Sequence, residues 1–133
     1  MKVQTLTRAL DRISSQSFER GLVRGVAELA LTFIQDEFEG EKDPYERAWK
    51  PLAYRRGKIL EKTGTLRSSF TVAFGERSFT ISNTASYAGF HQAGTKRMPK
   101  RRILPDLGVP RRWREGFNLF IDEKVSEALG EAR

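Results

Sequence analysis

Eight of the nineteen residues from Lys96 to Arg114 are basic: Lys96, Arg97, Lys100, Arg101, Arg102, Arg111, Arg112 and Arg114. One, Asp106, is acidic. The segment's +7 equals the formal net charge of the whole chain, because the other residues hold equal numbers of each sign. The chain is therefore a neutral protein with one basic segment. Such a segment can contact phosphates; even six contacts would give a log–log salt slope of about −5 through counterion release. It can equally dock on an acidic protein surface. Immediately before it lies Tyr87-Ala88-Gly89-Phe90-His91-Gln92-Ala93-Gly94, which holds the only histidine.

Other chemistries find little support. A metal site needs several ligands at compatible spacing, and the chain has one histidine, no cysteine and no Asp-rich loop. Ser86 lies near His91, but no nucleophile elbow of the Gly-x-Ser-x-Gly kind is present, so no triad is expected. A histidine in a polar turn reads as a structural hydrogen-bonding group. No Gly-x-Gly-x-x-Gly or Walker-type loop occurs, so no nucleotide or other cofactor is expected. Trp113 is the one aromatic in the basic segment, which disfavours stacking on single strands. No base-reading motif is recognisable. The residues alone leave three readings for residues 96–114: a small nucleic-acid-binding module, a dock for an acidic protein neighbour, or a solvated loop.

The elements that must position this segment are legible as changes of period. A chain of 133 residues fits one domain. It can bury about two thirds of its unfolded surface, enough for one core. Phe18, Leu22, Val26, Leu29, Ala30, Phe33 and Ile34 line one face of a helix predicted at about 16–38. A shorter helix precedes it at about 5–13, so helices occupy about 5–38, with serine caps at Ser14, Ser15 and Ser17. The acidic run that follows closes in Gly40. Residues 40–62 read as a long connection, in which Asp43-Pro44-Tyr45-Glu46 could nucleate one helical turn. Pro51 limits that turn, and Trp49 and Leu52 cover the edge of the core.

Thr63 to Ser69 reads as a turn opening a short helix. Phe70, Val72 and Phe74, then Phe79 and Ile81, alternate with smaller residues around Gly75-Glu76-Arg77-Ser78, the signature of a β-hairpin at about 69–83. An irregular basic loop at 94–110 leads to a C-terminal helix at 110–129. Its stripe is Trp113, Phe117, Phe120, Ile121, Val125, Ala128 and Leu129, interrupted by Lys124. The expected class is α+β: a long N-terminal and a C-terminal helix on a small antiparallel sheet, with long irregular loops. The longest apolar stretch, Val26 to Ile34, is far shorter than the roughly 20 residues a membrane span needs. With no cysteine and no signal-peptide pattern, a cytoplasmic location until lysis is expected.

Four blocks, read in order, resemble the phage virion morphogenesis family, the tail-completion proteins of Mu-like and P2-like phages. These are distantly related to siphophage head–tail joining proteins. Asp43-Pro44 with Trp49-Lys50-Pro51-Leu52 looks like the family's Pro…Trp-x-Pro-Leu loop. Ile59-Leu60 with Thr63-Gly64-Thr65-Leu66-Arg67-Ser68-Ser69 looks like its Leu-x-x-Thr-Gly-x-Leu-x-x-Ser block. Tyr87-Ala88 with His91-Gln92 and Gly94 looks like its Tyr-Ala-x-x-His-Gln-x-Gly block. Pro99, Arg101 or Arg102, and Ile103-Leu104 look like its Pro-x-Arg-x-x-Leu block. The chain departs from the pattern at Tyr45-Glu46-Arg47-Ala48, where a glycine-rich pairing is usual, and at Ile103, where an aromatic is common.

The resemblance implies a structural role without catalysis: a neck or tail-end protein of a tailed phage or prophage, present in the host cytoplasm during assembly. It implies a homo-oligomer, usually a six-membered ring, touching neighbouring connector and tail proteins, with packaged DNA as the alternative partner and no membrane partner. Under it, His91 and Gln92 satisfy backbone groups between hairpin and basic loop. Six copies would gather roughly forty positive charges, which would grip sliding DNA if they lined the channel. An outward or axial placement against an acidic neighbour is the expected one.

Overall fold

The computed structural model of the chain describes residues 3–53, 57–61 and 63–130, so residues 54–56 and 62 of the expected long connection lie outside the described residues. Two helices open the fold, α1 (Val3–Ile13) and α2 (Gln16–Gly40). Ser15 separates them. Its backbone is extended and its Oγ accepts from the Phe18 amide at 3.1 Å, one of the orphan donors of a helix start. The short helix α3 (Thr65–Ser68) leads into strands β1 (Phe70–Phe74) and β2 (Phe79–Asn83). After them come α4 (Ala88–Ala93) and α5 (Arg111–Gly130). The class is α+β, with one antiparallel two-stranded sheet among the described residues.

The hairpin register pairs Phe70 with Asn83, Val72 with Ile81 and Phe74 with Phe79. That puts the alternating apolar residues of both strands on one face, and α2 touches β2. Two strands alone are marginal in water. Phe70, Phe79 and Ile81 pack against the core, while Phe74 at the far end is 52% exposed beneath the Arg24 guanidinium.

The two long helices cross through glycine. Phe120 of α5 lies over Gly25 of α2 so closely that a Cβ there would stand 2.1 Å from its ring. In return Phe33 of α2 covers Gly116 of α5, where a Cβ would stand 2.5 Å from the ring. Glu37 and Trp113 continue the same seam. These pairings show the helices running in opposite directions. Each ring fills the notch left by the other helix's missing side chain.

The core sits around the C-terminal half of α2. Ala30, Ile34 and Phe38 meet Leu66, Ala88 and Trp113, and also Trp49, Ile59, Leu60 and Ile103. The last four belong to segments without regular structure. The edge position expected for Trp49 is therefore too modest: it is 5% exposed and packs edge-on against Phe38.

Three local expectations are corrected. The Asp43-Pro44-Tyr45-Glu46 stretch forms a tight turn, not a helical one. Asp43 Oδ1 accepts from the amides of Tyr45 (2.8 Å) and Arg47 (2.9 Å), and Asp43 N donates to Arg47 O at 2.8 Å. A side chain bonded to its own backbone competes with the helical ladder, and Lys42 then bridges Ala48 as a strand pair would. Second, α2 includes Gly40, and the left-handed cap falls on Glu41 (φ 54°). That non-glycine residue is held there because its Oε1 accepts from Ile59 N and its carbonyl from Trp49 N, both at 2.9 Å. Third, His91 lies on the helix α4 rather than in a turn.

Overpacking a close helix crossing costs about 1–3 kcal/mol, against a gain of about 1 kcal/mol for replacing glycine by alanine inside a helix. Gly25→Ala is expected to lower stability in urea denaturation. Combined with Phe120→Leu it should cost less than the two single changes added together, and strict additivity would refute the contact.

Candidate functional site

The basic segment follows α4 and is tied to it by Gln92. The Gln92 Oε1 accepts from Ile103 N (2.8 Å) and Leu104 N (2.9 Å), and its Nε2 donates to Leu104 O (2.8 Å). A side-chain amide thus stands in for the missing neighbour strand, satisfying both polarities of a buried extended backbone. Gly94 ends α4 at φ 75°, and a Cβ there would lie 2.9 Å from Lys100 N. The backbone must turn left-handed and pass close, and glycine does both. His91 contributes through its main chain: its carbonyl accepts from Arg101 N at 2.8 Å. Its ring meets Tyr87 edge-on at 5.8 Å, and Nδ1 is buried without a hydrogen-bond partner among the described residues. Burial, then the Arg101 charge, holds the imidazole below its ordinary pKa and so favours the neutral form.

The eight cations divide into two groups. Arg101 is buried (7% exposed) and donates to the carbonyls of Lys50 (2.9 Å) and Pro51 (3.1 Å). Arg102 is half-buried, paired with Asp43 (3.3 Å) and Asp106 (2.7 Å), and lies over the Tyr45 ring. Arg112 is paired with Asp36 (2.9 Å) and lies over Phe33. Lys96, Arg97, Lys100, Arg111 and Arg114 are exposed. Lys100 reaches Asp106 at 3.5 Å, and Arg111 reaches Glu115 at 3.0 Å. Burial raises the Asp106 carboxyl, but the hydrogen bond and charge of Arg102, then Lys100, outweigh it and leave the acid below its usual range.

The motif residues surround this segment. Trp49 Nε1 donates to Arg102 O at 2.8 Å. Leu52 and Leu104 pack against the core, and Ala88 and Leu66 lie in it. Thr63 Oγ1 accepts from Thr65 N, while Gly64 caps α3 at φ 76°. Pro99 is half-buried in the segment's first half. Tyr45, outside every motif position, holds the far end. Its hydroxyl accepts from Leu107 N and donates to Gly108 O, both at 2.6 Å. No sequence signal marked Tyr45, Gln35 or Glu37 for these roles. Gln35, on the polar side of the α2 wheel, exchanges hydrogen bonds with Arg67, which also pairs with Glu39 and Glu61.

Glu37 belongs to the acidic run that ends α2, yet it is 6% exposed. Trp113 Nε1 donates to its Oε1 at 2.7 Å, and Oε2 has no hydrogen-bond partner among the described residues. Burial pushes its pKa up to about 7, against the opposing hydrogen bond of Trp113 and charge of Arg112; Asp43 and Asp36 add to the rise.

An α+β frame whose side chains converge on holding an exposed basic segment is a scaffold that displays a surface. The chain belongs to the phage virion morphogenesis family, whose model matches residues 1–131. It is 29% identical to the putative capsid assembly protein G of Escherichia phage Mu over 140 residues, covering 96% of this chain and 87% of that protein. It is 26% identical to the Mu-like prophage FluMu G protein 1 of Haemophilus influenzae over 139 residues, covering 96% and 93%. No solved structure matches it. It is thus a structural phage protein of virion morphogenesis. No helix among the described residues is long and apolar enough to cross a membrane.

Removing the Gln92 amide leaves three backbone groups unpaired, at a cost of about 2–4 kcal/mol. Gln92→Ala should lower stability by that order and speed hydrogen exchange at the Ile103 and Leu104 amides; unchanged exchange there would refute the clamp. For Glu37, a folded-state pKa above the ordinary 4.5 means that folding favours the protonated acid. Its contribution is complete below pH 4.5 and is lost as pH rises through about 7, by about 3 kcal/mol at most. Glu37→Gln removes this titration. The stability difference between variant and parent should grow in the variant's favour from pH 5 to pH 8, and a flat difference would contradict it.

Proposed function

We propose that this chain is a virion structural protein of a tailed phage or prophage that completes the tail and joins it to the DNA-filled head. It acts as one subunit of a closed ring at the neck, and it is not an enzyme. The observation that carries the reading is the clamped, exposed basic segment, on a chain whose whole length matches a virion morphogenesis family. The phage Mu relative is named a putative capsid assembly protein, which supports a role in building the particle. In this reading His91 is structural: its carbonyl accepts from Arg101 N and its ring packs edge-on against Tyr87.

The segment's partner in this reading is an acidic protein surface rather than DNA. Arg101, Arg102 and Arg112 are committed to internal partners, and Lys100 and Arg111 already meet carboxylates. That leaves at most five cations for phosphates, because the exposed pairs of Lys100 and Arg111 are weak enough to exchange for a partner, and the salt slope is then no steeper than about −4.5. Lys96 and Arg97 occupy the middle of a tight turn closed by Thr95 N donating to Met98 O at 2.9 Å, a stiff mount for charges that set register against a neighbour.

Deletion of the gene from the phage or prophage should leave filled heads and finished tails that do not join, seen by electron microscopy of lysates, with joining restored by a plasmid copy. Infectious particles at the parental titre would overturn the reading.

A further inference from the structure

Two exposed surfaces of this chain are unexplained by its own fold, and they are complementary. One is the loop end before α5. Leu107 is 66% exposed and Val109 51%, on either side of Gly108 with its φ of 91°. Nothing among the described residues covers them, yet the loop is stiff, because the Tyr45 hydroxyl grips Leu107 N and Gly108 O and Arg102 lies over the Tyr45 ring. Apolar side chains displayed on a rigid mount lose little entropy on binding. The exposed Arg111 and Arg114 follow them directly.

The other surface is the outer face of α5. Glu115, Leu119, Asp122 and Ser126 recur at three- and four-residue spacing, with Glu123 beside them, and all are exposed. Leu119, at 70%, is the most exposed large apolar residue among the described residues. Asp122 and Glu123 have no ion-pair partner among the described residues. The first surface is apolar and basic, and the second is apolar and acidic.

We infer that the Leu107–Val109 tip, with Arg111 and Arg114, seats on the Leu119–Asp122–Glu123 face of α5 in a second copy of this chain. The inference rests on the assembly reading above and names the faces that meet. Complementary sign and matched apolar centres favour this pairing over a two-fold α5-to-α5 contact about Leu119, which would set Glu115 against Glu123. Arg111 and Leu119 are eight residues apart, about 12 Å along the helix. Each copy can therefore offer its tip to one neighbour and its α5 face to another. Such a head-to-tail contact propagates until it closes into a ring or extends as a filament. The contact is small, so the free protein should associate weakly, and a covalent trap is the suitable probe.

The chain contains no cysteine, so introduced thiols report without background. Val109→Cys and Leu119→Cys are prepared in the full-length protein, with Thr80→Cys on the exposed face of the hairpin as a collision control. Under mild oxidation each single variant should stay monomeric, and mixing Val109→Cys with Leu119→Cys should give covalent dimers and nothing larger. The chain carrying both changes should give a ladder. Raising the salt concentration should reduce every yield. The proposal is overturned if the mixture crosslinks no better than Val109→Cys with Thr80→Cys, or if Leu119→Cys alone dimerises efficiently, which would mean a two-fold contact. If crosslinking fails while the deletion still leaves heads and tails unjoined, the face pairing alone is lost.

Discussion

Ile103 is buried in the middle of a stretch with no helix or strand to pair its backbone. Buried amides and carbonyls need partners, so the surrounding architecture serves that need. Gln92 supplies three hydrogen bonds, Trp49 caps Arg102 O and Tyr45 holds Leu107 and Gly108. Arg101 runs the other way, satisfying carbonyls of the connection that carries Trp49. Two irregular segments far apart in sequence therefore pair through side chains, as two strands would through backbones. Those same segments furnish four of the ten residues in the central cluster, so the core and the displayed loop depend on one network.

Electrostatics serves two purposes on the same stretch of chain. Arg102 bridges Asp43, which organises the preceding turn, and Asp106, which lies beside Lys100. With its guanidinium half-buried, the fork geometry matters more than the charge, and lysine would not reproduce it. Arg112 and Trp113 stitch the start of α5 to the end of α2 through Asp36 and Glu37. The glycine-cut seam between the helices then continues past Gly116 to Gly25. A basic segment built partly from structural arginines presents a smaller free charge than its composition suggests. That favours a shaped protein contact over broad attraction to phosphate.

Much of the fold was legible in the sequence. The two long helices, the Ser15 cap, the hairpin with its apolar face and the short helix after Gly64 follow from period and turn chemistry, which are local properties. The family blocks also pointed to His91 and Gln92 as backbone partners; the Gln92 amide is one, whereas His91 acts through its main-chain carbonyl. Asp43 misled, because an aspartate followed by proline serves a helix cap and a tight turn equally well; here its Oδ1 bonds the Tyr45 and Arg47 amides, while Oδ2 meets Arg102, 59 positions away. Glu37 carried no local signal of burial: it lies between Asp36 and Glu39 in an acidic run, and only Trp113, distant along the chain, covers it.

By itself the sequence determined the α+β class, the family and the place where charge concentrates, because each is written in neighbouring residues or in short motifs. Tertiary structure alone decided which of the eight cations face outward, that Tyr45 stiffens the tip bearing Leu107 and Val109, and that Leu119 stands exposed beside Asp122 and Glu123 on the outer face of α5. Those properties arise where residues distant along the chain meet. Burial and pairing are features of such meetings, and no local pattern encodes them.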